Sequence, residues 1–275
     1  MRTITIALAQ IESKPASKED NLKKMYDYID RAANMNAHFV LFPELALTGY
    51  ALRDLFYKVA ETIPGPSTEK IIAKAREKNI HIGFGMPERS ANDPGVLYNT
   101  MVLVGPQGLI GKYRKIYLPT YGVFEEGRYF RNGNTPVVVD TSFGRIGLEI
   151  CFDLFFPELS RLLALRGAHT IFVISVSPDI SRNFFELFTQ ARALENTINV
   201  VYVNAVGNEE GLGYWGGSHA VDARGKILAK AKYFEEDLVI ITINLDDYYA
   251  AKESRPLLKH YNPEICRLCS EEKEI

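Results

Sequence analysis

The chain has 275 residues, 47% of them hydrophobic, with 15 Tyr and 15 Phe, enough to bury roughly 75% of its unfolded surface and too apolar to stay disordered. That size, with only three cysteines, excludes a small disulfide scaffold. Lys and Arg number 32 against 34 Asp and Glu, a net charge of -2 with no basic run, so nucleic acid is not an expected partner.

The stretch MRTITIALAQ lacks a small-residue cleavage site and predicts a strand over Thr3 to Ala9 rather than a signal peptide. A helix follows over Lys18 to Met35, with Ser17, Asp20 and Asn21 as capping candidates and Leu22, Met25, Tyr26 and Ile29 at helical spacing. Next come a strand at His38 to Phe42, a helix at Ser67 to Lys78, and strands at Ile80 to Pro87, Leu97 to Val104 and Gly108 to Tyr113. The turn-rich segment Glu88 to Gly95 reads as a loop. Strands at Val137 to Asp140 and Gly144 to Ile150 precede a helix at Pro157 to Arg166, a strand at Thr170 to Ser175 and a helix at Arg182 to Thr197. The pattern closes with strands at Val200 to Ala205, Gly217 to Val221 and Leu238 to Ile243.

Runs such as FVLF and TIFVIS are apolar on both faces, which suits covered sheets in a layered α/β fold. No repeat or long linker divides the chain, so one domain is expected over 1-275, with 252-275 as an extended C-terminal arm packed on its own body or on a second subunit. No apolar segment approaches the roughly 20 residues that span a bilayer. A cytoplasmic protein with reduced cysteines and no membrane partner is therefore expected. Cys266 and Cys269 form a lone C-x-x-C without the further ligands that zinc requires, and read as packing or surface thiols.

Three residues sit at predicted strand ends, where open α/β folds place their chemistry. Glu44 follows FVLFP, Lys115 lies in GKYRKIYLP, and Cys151 ends RIGLEIC. Singly, each also fits a plainer role: a solvated strand-end charge, a surface lysine, a small buried hydrophobe. Together they compose a reaction. In EICFDLFFPE a strand runs into an elbow before a helix opened by Pro157, a bend that presents the sulfur. A nearby cation lowers a thiol pKa, and Lys115 is the expected cation. A carboxylate able to take the thiol proton and pass it to a departing amine completes acyl transfer, and Glu44 is the expected base.

At this point the chain resembles the nitrilase superfamily of carbon–nitrogen hydrolases, in its amidase-like branch. The resemblance runs from IALAQ through FPELALTGY, GKYRKIYLP and EICFDLFFPE to ARALEN and GGSHAVDARGKIL, in order, with 71 residues from Glu44 to Lys115 and 36 from there to Cys151. It implies a four-layer αββα sandwich with Glu44, Lys115 and Cys151 as the catalytic triad. It also implies a second glutamate after the lysine; LPTYGVFEEGRYF offers Glu125 and Glu126, of which Glu126 is preferred as the group that holds Lys115 and orients substrate. The mechanism it implies is a Cys thioester, with no metal or organic cofactor. Arg192, Glu195 and Asn196 of ARALEN are read as a buried polar network, and Asp153 and Glu158 as supports of the elbow.

The pocket is expected from Tyr50, Tyr121, Phe124, Phe152, Ser177, Pro178 and Trp215, an aromatic and mostly uncharged wall that favours a small or apolar acyl group, with Arg182 an uncertain cation. The expected substrate is a small amide. LPTYGVFEEGRYF looks most like glutaminase domains that feed NAD synthetase, but 275 residues with no P-loop leave no room for a synthetase domain, so a stand-alone amidase is preferred. N-carbamoyl hydrolysis and nitrile hydrolysis are the enzyme alternatives; Phe152 stands where many nitrilases carry Trp. A catalytically silent binding or scaffold protein is the alternative from another class, and it expects a broken triad, whereas all members are present. The resemblance further implies a homodimer or higher homo-oligomer formed through LSRLLALRG and the arm from Arg255 to Cys266.

Overall fold

The computed structural model describes residues 2-271, the side chains of 269 and 270 excepted. In chain order the strands are β1 (Thr3–Gln10), β2 (Phe39–Leu41), β3 (His81–Arg89), β4 (Leu97–Gly105), β5 (Gly108–Arg114), β6 (Val138–Thr141), β7 (Gly144–Ile150), β8 (Thr170–Ser175), β9 (Asn199–Asn204), β10 (Val206–Glu209), β11 (Leu212–Trp215), β12 (His219–Val221), β13 (Ile227–Lys230) and β14 (Asp237–Asn244). The helices are α1 (Lys18–Asn34), α2 (Phe56–Val59), α3 (Pro66–Lys78), α4 (Glu126–Tyr129), α5 (Pro157–Leu165), α6 (Arg182–Asn196), α7 (Leu245–Ser254) and α8 (Pro263–Glu271). One six-stranded sheet runs β14-β1-β2-β3-β4-β5, the other β13-β12-β9-β8-β7-β6, and β10-β11 form a separate hairpin.

Period-two alternation explains why these strands are buried on both faces. In β1, Ile4, Ile6 and Leu8 join the core between the sheets, while Ala7 and Ala9 join a second core under α1 and α3. Phe39 and Leu41 alternate in the same way with Val40 and Phe42, and Met101 and Leu103 with Val102 and Val104. The inner core adds Ile146, Leu148 and Phe172 from the second sheet, and Phe39 meets Phe172 edge-on at 5.5 Å between ring centres. Leu159 and Leu163 of α5 and Phe185 and Ala193 of α6 cover the far face. The result is the four-layer αββα sandwich.

The observed elements add the short helices α2 and α4 to those predicted and carry β3 on through Glu88 and Arg89, and they depart further from the sequence reading toward the C-terminus. The hairpin β10-β11 lies outside the predicted strands; its stretch VGNEEGLG is rich in glycine and charge, and Gly207 and Gly211 adopt positive φ there. Strand β13 also lies outside the predicted set. The segment expected as an extended arm is helical in α7, in a short turn at Leu257–His260 and in α8. Cys266 is free and exposed; the Cys269 side chain lies outside the described residues.

Candidate active site

Glu44 follows β2 after Phe42 and Pro43, and Leu45 turns the chain at φ 49°. A Cβ at Gly85 of β3 would fall 2.3 Å from the Leu45 nitrogen and 2.7 Å from the Glu44 Cα, so only glycine lets β3 brace this turn. The Glu44 carboxylate is buried. Its Oε1 accepts from Lys115 Nζ and from Asn99 Nδ2, both at 2.7 Å, and its Oε2 accepts from the Val176 backbone N–H at 2.9 Å.

Lys115 directly follows β5 and is wholly buried. Its Nζ donates to Glu44 Oε1 and Glu126 Oε1, each at 2.7 Å. Burial alone would strip its proton, but the Glu126 and Glu44 carboxylates outweigh that and hold Lys115 above the ordinary lysine value, as an ammonium. Glu126 opens α4, buried, and also accepts from the Tyr50 hydroxyl at 2.8 Å. Burial pushes its carboxyl up to about 7 against the pull of Lys115. Glu125, its neighbour, is exposed.

Cys151 begins the 3-10 turn Cys151–Phe155 at the end of β7, with φ 49°. A side chain other than glycine rarely takes this conformation, and here the surroundings enforce it. Asp153 Oδ2 accepts from the Ile150 N–H at 3.0 Å and from the Tyr113 hydroxyl at 2.8 Å. Its Oδ1 accepts from the Ile116 and Tyr117 N–H groups at 3.2 and 2.9 Å. One carboxylate thus ties the Cys151 elbow to the segment that follows Lys115. From α6, Arg192 donates to the Leu154 and Phe155 carbonyls at 3.0 and 3.2 Å, and Asn196 to the Arg192 carbonyl at 2.9 Å, a polar support below the turn. Glu158 lies at the exposed start of α5.

One expectation is corrected here. Lys115 does not lower the Cys151 thiol below its ordinary value: burial and the Glu44 charge push it well up, and the lysine's opposing pull is smaller. The physical reason is first the burial of the thiol and then the carboxylate charge around it, against which a single ammonium, shared between Glu44 and Glu126, pulls less strongly. The thiol rests protonated, so attack requires a base.

Of the residues expected to line a pocket, Tyr50 alone borders the cavity of about 560 Å³ that opens beside Glu126. Its other walls include Phe56, Tyr129 and Leu212, with Arg53, Arg128 and Glu210 as charged members. Tyr121, Phe124 and Phe152 form a separate aromatic group, with Tyr121 at 5.6 and 5.7 Å from the other two rings. Ser177 is buried and its N–H bonds Asn204 Oδ1 at 2.8 Å, while Pro178 forms an isolated bridge to Tyr214. Trp215 is fully buried and stacks on Tyr202 at 5.8 Å, because flanking Gly216 and Gly217 fold it into the core. Arg182 pairs with Asp179 at 3.4 Å and lies over Tyr233, away from the cavity. Beside Glu126 the cavity wall mixes apolar and charged groups.

Sequence reasoning passed over Asn99, the Val176 N–H and Glu209. Asn99 had a signal: a lone amide in the otherwise apolar LYNTMVLV has to find a partner when buried. The other two had none, since one is a backbone group and the other lies in a segment to which the sequence pattern assigns no element.

Residues 5–253 match the sequence profile of the family described as carbon-nitrogen hydrolase. The chain belongs to the carbon–nitrogen hydrolase family. Among its relatives in this family, a probable nitrilase of Schizosaccharomyces pombe is 33% identical over 93% of this chain and 92% of its own. Omega-amidase NIT2 of Homo sapiens is 32% identical over 96% of this chain and 97% of its own. A glutamine-dependent NAD(+) synthetase of Aquifex aeolicus is 33% identical over 92% of this chain, which spans only 44% of that protein. Among solved structures, an amidase from Nesterenkonia sp. superimposes with a TM-score of 0.83 at 28% identity, covering 96% of this chain and 95% of that one. These matches place the chain, as a nitrilase-superfamily enzyme, among hydrolases of non-peptide carbon–nitrogen bonds. Among the described residues no helix is long and apolar enough to cross a membrane.

Proposed function

We propose that this carbon–nitrogen hydrolase is an amidase that converts a small amide to a carboxylic acid and ammonia through a thioester on Cys151. The observation that carries the reading is the buried Lys115 ammonium, 2.7 Å from both Glu44 and Glu126, with the buried Cys151 thiol close enough to feel the charges of all three. In this reading Glu44 takes the Cys151 proton as sulfur attacks the amide carbon. The oxyanion forms against Lys115 and the Phe152 N–H, donors of a kind worth about 3 to 4 kcal/mol each. Glu44 then gives its proton to the leaving ammonia, and next draws one from the water that cleaves the thioester. Glu126 holds the ammonium in place.

The charged members of the cavity beside Glu126 admit an acyl group that carries polar or charged ends, in addition to the small or apolar groups first expected. Nitrile hydrolysis is a second reading, supported by the relative called a probable nitrilase. Exposed Leu165 on α5, and Tyr261 and Ile265 in the C-terminal segment, support association into a homodimer or larger assembly.

The test follows ammonia release from propionamide, glutamine, a ureido acid and a short aliphatic nitrile, for the wild type and for Cys151→Ala. Release from an amide by the wild type alone is expected. Release only from the nitrile transfers the reading to a nitrilase; equal rates in both proteins, or none in either, sink the Cys151 mechanism.

A further inference from the structure

The β10-β11 hairpin supplies none of the reacting groups above, yet one of its carboxylates reaches them through direct contacts. Both oxygens of Glu209 accept the Tyr50 N–H, at 3.2 and 3.1 Å, and Oε2 also accepts the Ala51 N–H at 2.8 Å. Two successive backbone donors thus converge on a half-buried carboxylate. The approach is tight: at Gly49, φ 84°, a Cβ would lie 3.4 Å from Glu209 Oε2 and 3.1 Å from the Pro15 Cα. The same hairpin presents the Tyr214 ring edge-on to the Tyr50 ring at 6.5 Å. Of the charged neighbours, Glu12 and Glu210 both repel Glu209, and Glu210 is itself paired with Arg53 at 2.8 Å. Backbone N–H groups, rather than a cation, hold this carboxylate.

From Tyr50 the chain of contacts continues inward. Its hydroxyl donates at 2.8 Å to Glu126 Oε1, the same oxygen that receives Lys115 Nζ at 2.7 Å. Glu126 Oε2 has no hydrogen-bond partner among the described residues, so everything that orients this carboxylate passes through Oε1. We propose that Glu209 is a positioning residue: by clamping the Tyr50 backbone it aims the Tyr50 hydroxyl at Glu126 and thereby sets where the Lys115 ammonium stands. The proposal rests on the reading of Lys115 as the oxyanion's partner.

The experiment is a double-mutant cycle on Glu209→Gln and Tyr50→Phe, with kcat per titrated Cys151 and KM measured on the preferred amide. A carboxamide turns its NH2 toward one of the converging N–H donors and loosens the clamp. Each single change is expected to lower kcat about tenfold, below the hundredfold that a 1 Å misplacement can cost, with little change in KM. Because both act through one hydroxyl, the double variant should also lose about tenfold rather than about a hundredfold. Multiplying losses, or a Glu209→Gln protein that melts earlier but turns over normally per titrated site, would overturn the proposal. If the wild type hydrolyses no amide, the activity reading fails by itself, and the cycle is then read on Cys151 alkylation by iodoacetamide, resolved from Cys266 by peptide mass. Coupled effects on that rate support the clamp; unchanged or multiplying rates refute it. Should Glu209→Gln not fold, Glu209→Asp, which keeps the charge on a shorter arm, replaces it in both cycles.

Discussion

Replacing Asp153 by Asn changes almost no volume and removes one charge, so its cost can be followed bond by bond. The native carboxylate accepts four donors: the N–H groups of Ile150, Ile116 and Tyr117 and the hydroxyl of Tyr113. In the variant the carboxamide oxygen best keeps the Ile116 and Tyr117 pair, since the Tyr113 hydroxyl can turn and accept from the new NH2. That leaves the Ile150 N–H without an acceptor, worth about 1 to 3 kcal/mol when buried. The lost donor immediately precedes Cys151, whose φ of 49° depends on this bracing, so the elbow should relax and turnover should fall with stability. Asp153→Ala would strand all four donors, a loss of the same order as the total stability of about 5 to 15 kcal/mol, which makes Asn the informative change. Urea denaturation gives the stability difference, and ammonia release per titrated thiol gives the activity. An Asp153→Asn protein with the wild-type midpoint and the wild-type rate would refute the idea that this carboxylate holds the nucleophile.

Two further predictions concern buried charge. Lys115→Met leaves the Glu44 and Glu126 carboxylates without their shared cation, and breaking a buried pair in this way typically costs about 3 to 5 kcal/mol. Because one of the carboxyls can then be neutralised only by a proton, the variant should be less stable at pH 8 than at pH 5, relative to wild type, when urea midpoints are compared; a constant difference would contradict the charge argument. Glu149 lies wholly buried on β7 with its Oε1 accepting the Ser160 hydroxyl at 2.7 Å, and burial raises its carboxyl to about 8. The folded state therefore holds this proton more tightly than the unfolded chain, so stability is lost as pH rises from the unfolded value of 4.5 to the folded value of about 8. Glu149→Gln cannot titrate, and its stability relative to wild type should climb through that window by up to about 5 kcal/mol, at 1.36 kcal/mol per pKa unit. Parallel denaturation curves for the two proteins at pH 5, 7 and 9 would disprove it.

Most strands could be read from the amino acids because their apolar character leaves little choice. TIFVIS is apolar at every other position on both faces, and β8 has the predicted bounds, Thr170–Ser175. The elbow at Cys151 was visible as well, since a strand, a break and a helix opened by Pro157 follow in a few residues. What remained hidden is of two kinds. A tight local hairpin, turning at Glu210 and Gly211, builds β10-β11 out of a glycine- and charge-rich stretch, and only the folded chain then brings its Glu209 to the distant Tyr50 and Ala51. Electrostatics is the other kind: the presence of Lys115 near Cys151 was inferable, but the burial of the thiol and the Glu44 charge beside it, which together outweigh the lysine's pull, depend on packing and distances that composition does not encode. The burial of Trp215 was equally hidden, because glycines on its carboxyl side permit burial as readily as exposure.

Glu44 is anchored on one side to Lys115, which follows the last strand of one sheet, and on the other to the Val176 N–H, which follows a strand of the other. The two sheets meet through aromatic and branched side chains such as Phe39 and Phe172. The Glu44 carboxylate therefore works as a caliper set across the sandwich, its jaws closed at 2.7 and 2.9 Å. Any change that spreads or slides the sheets opens one jaw before it disturbs the substrate. Residues in the middle of the molecule, far from any bound amide, thus belong among the determinants of turnover, and an enzyme with a swollen core should lose rate while its pocket still looks intact.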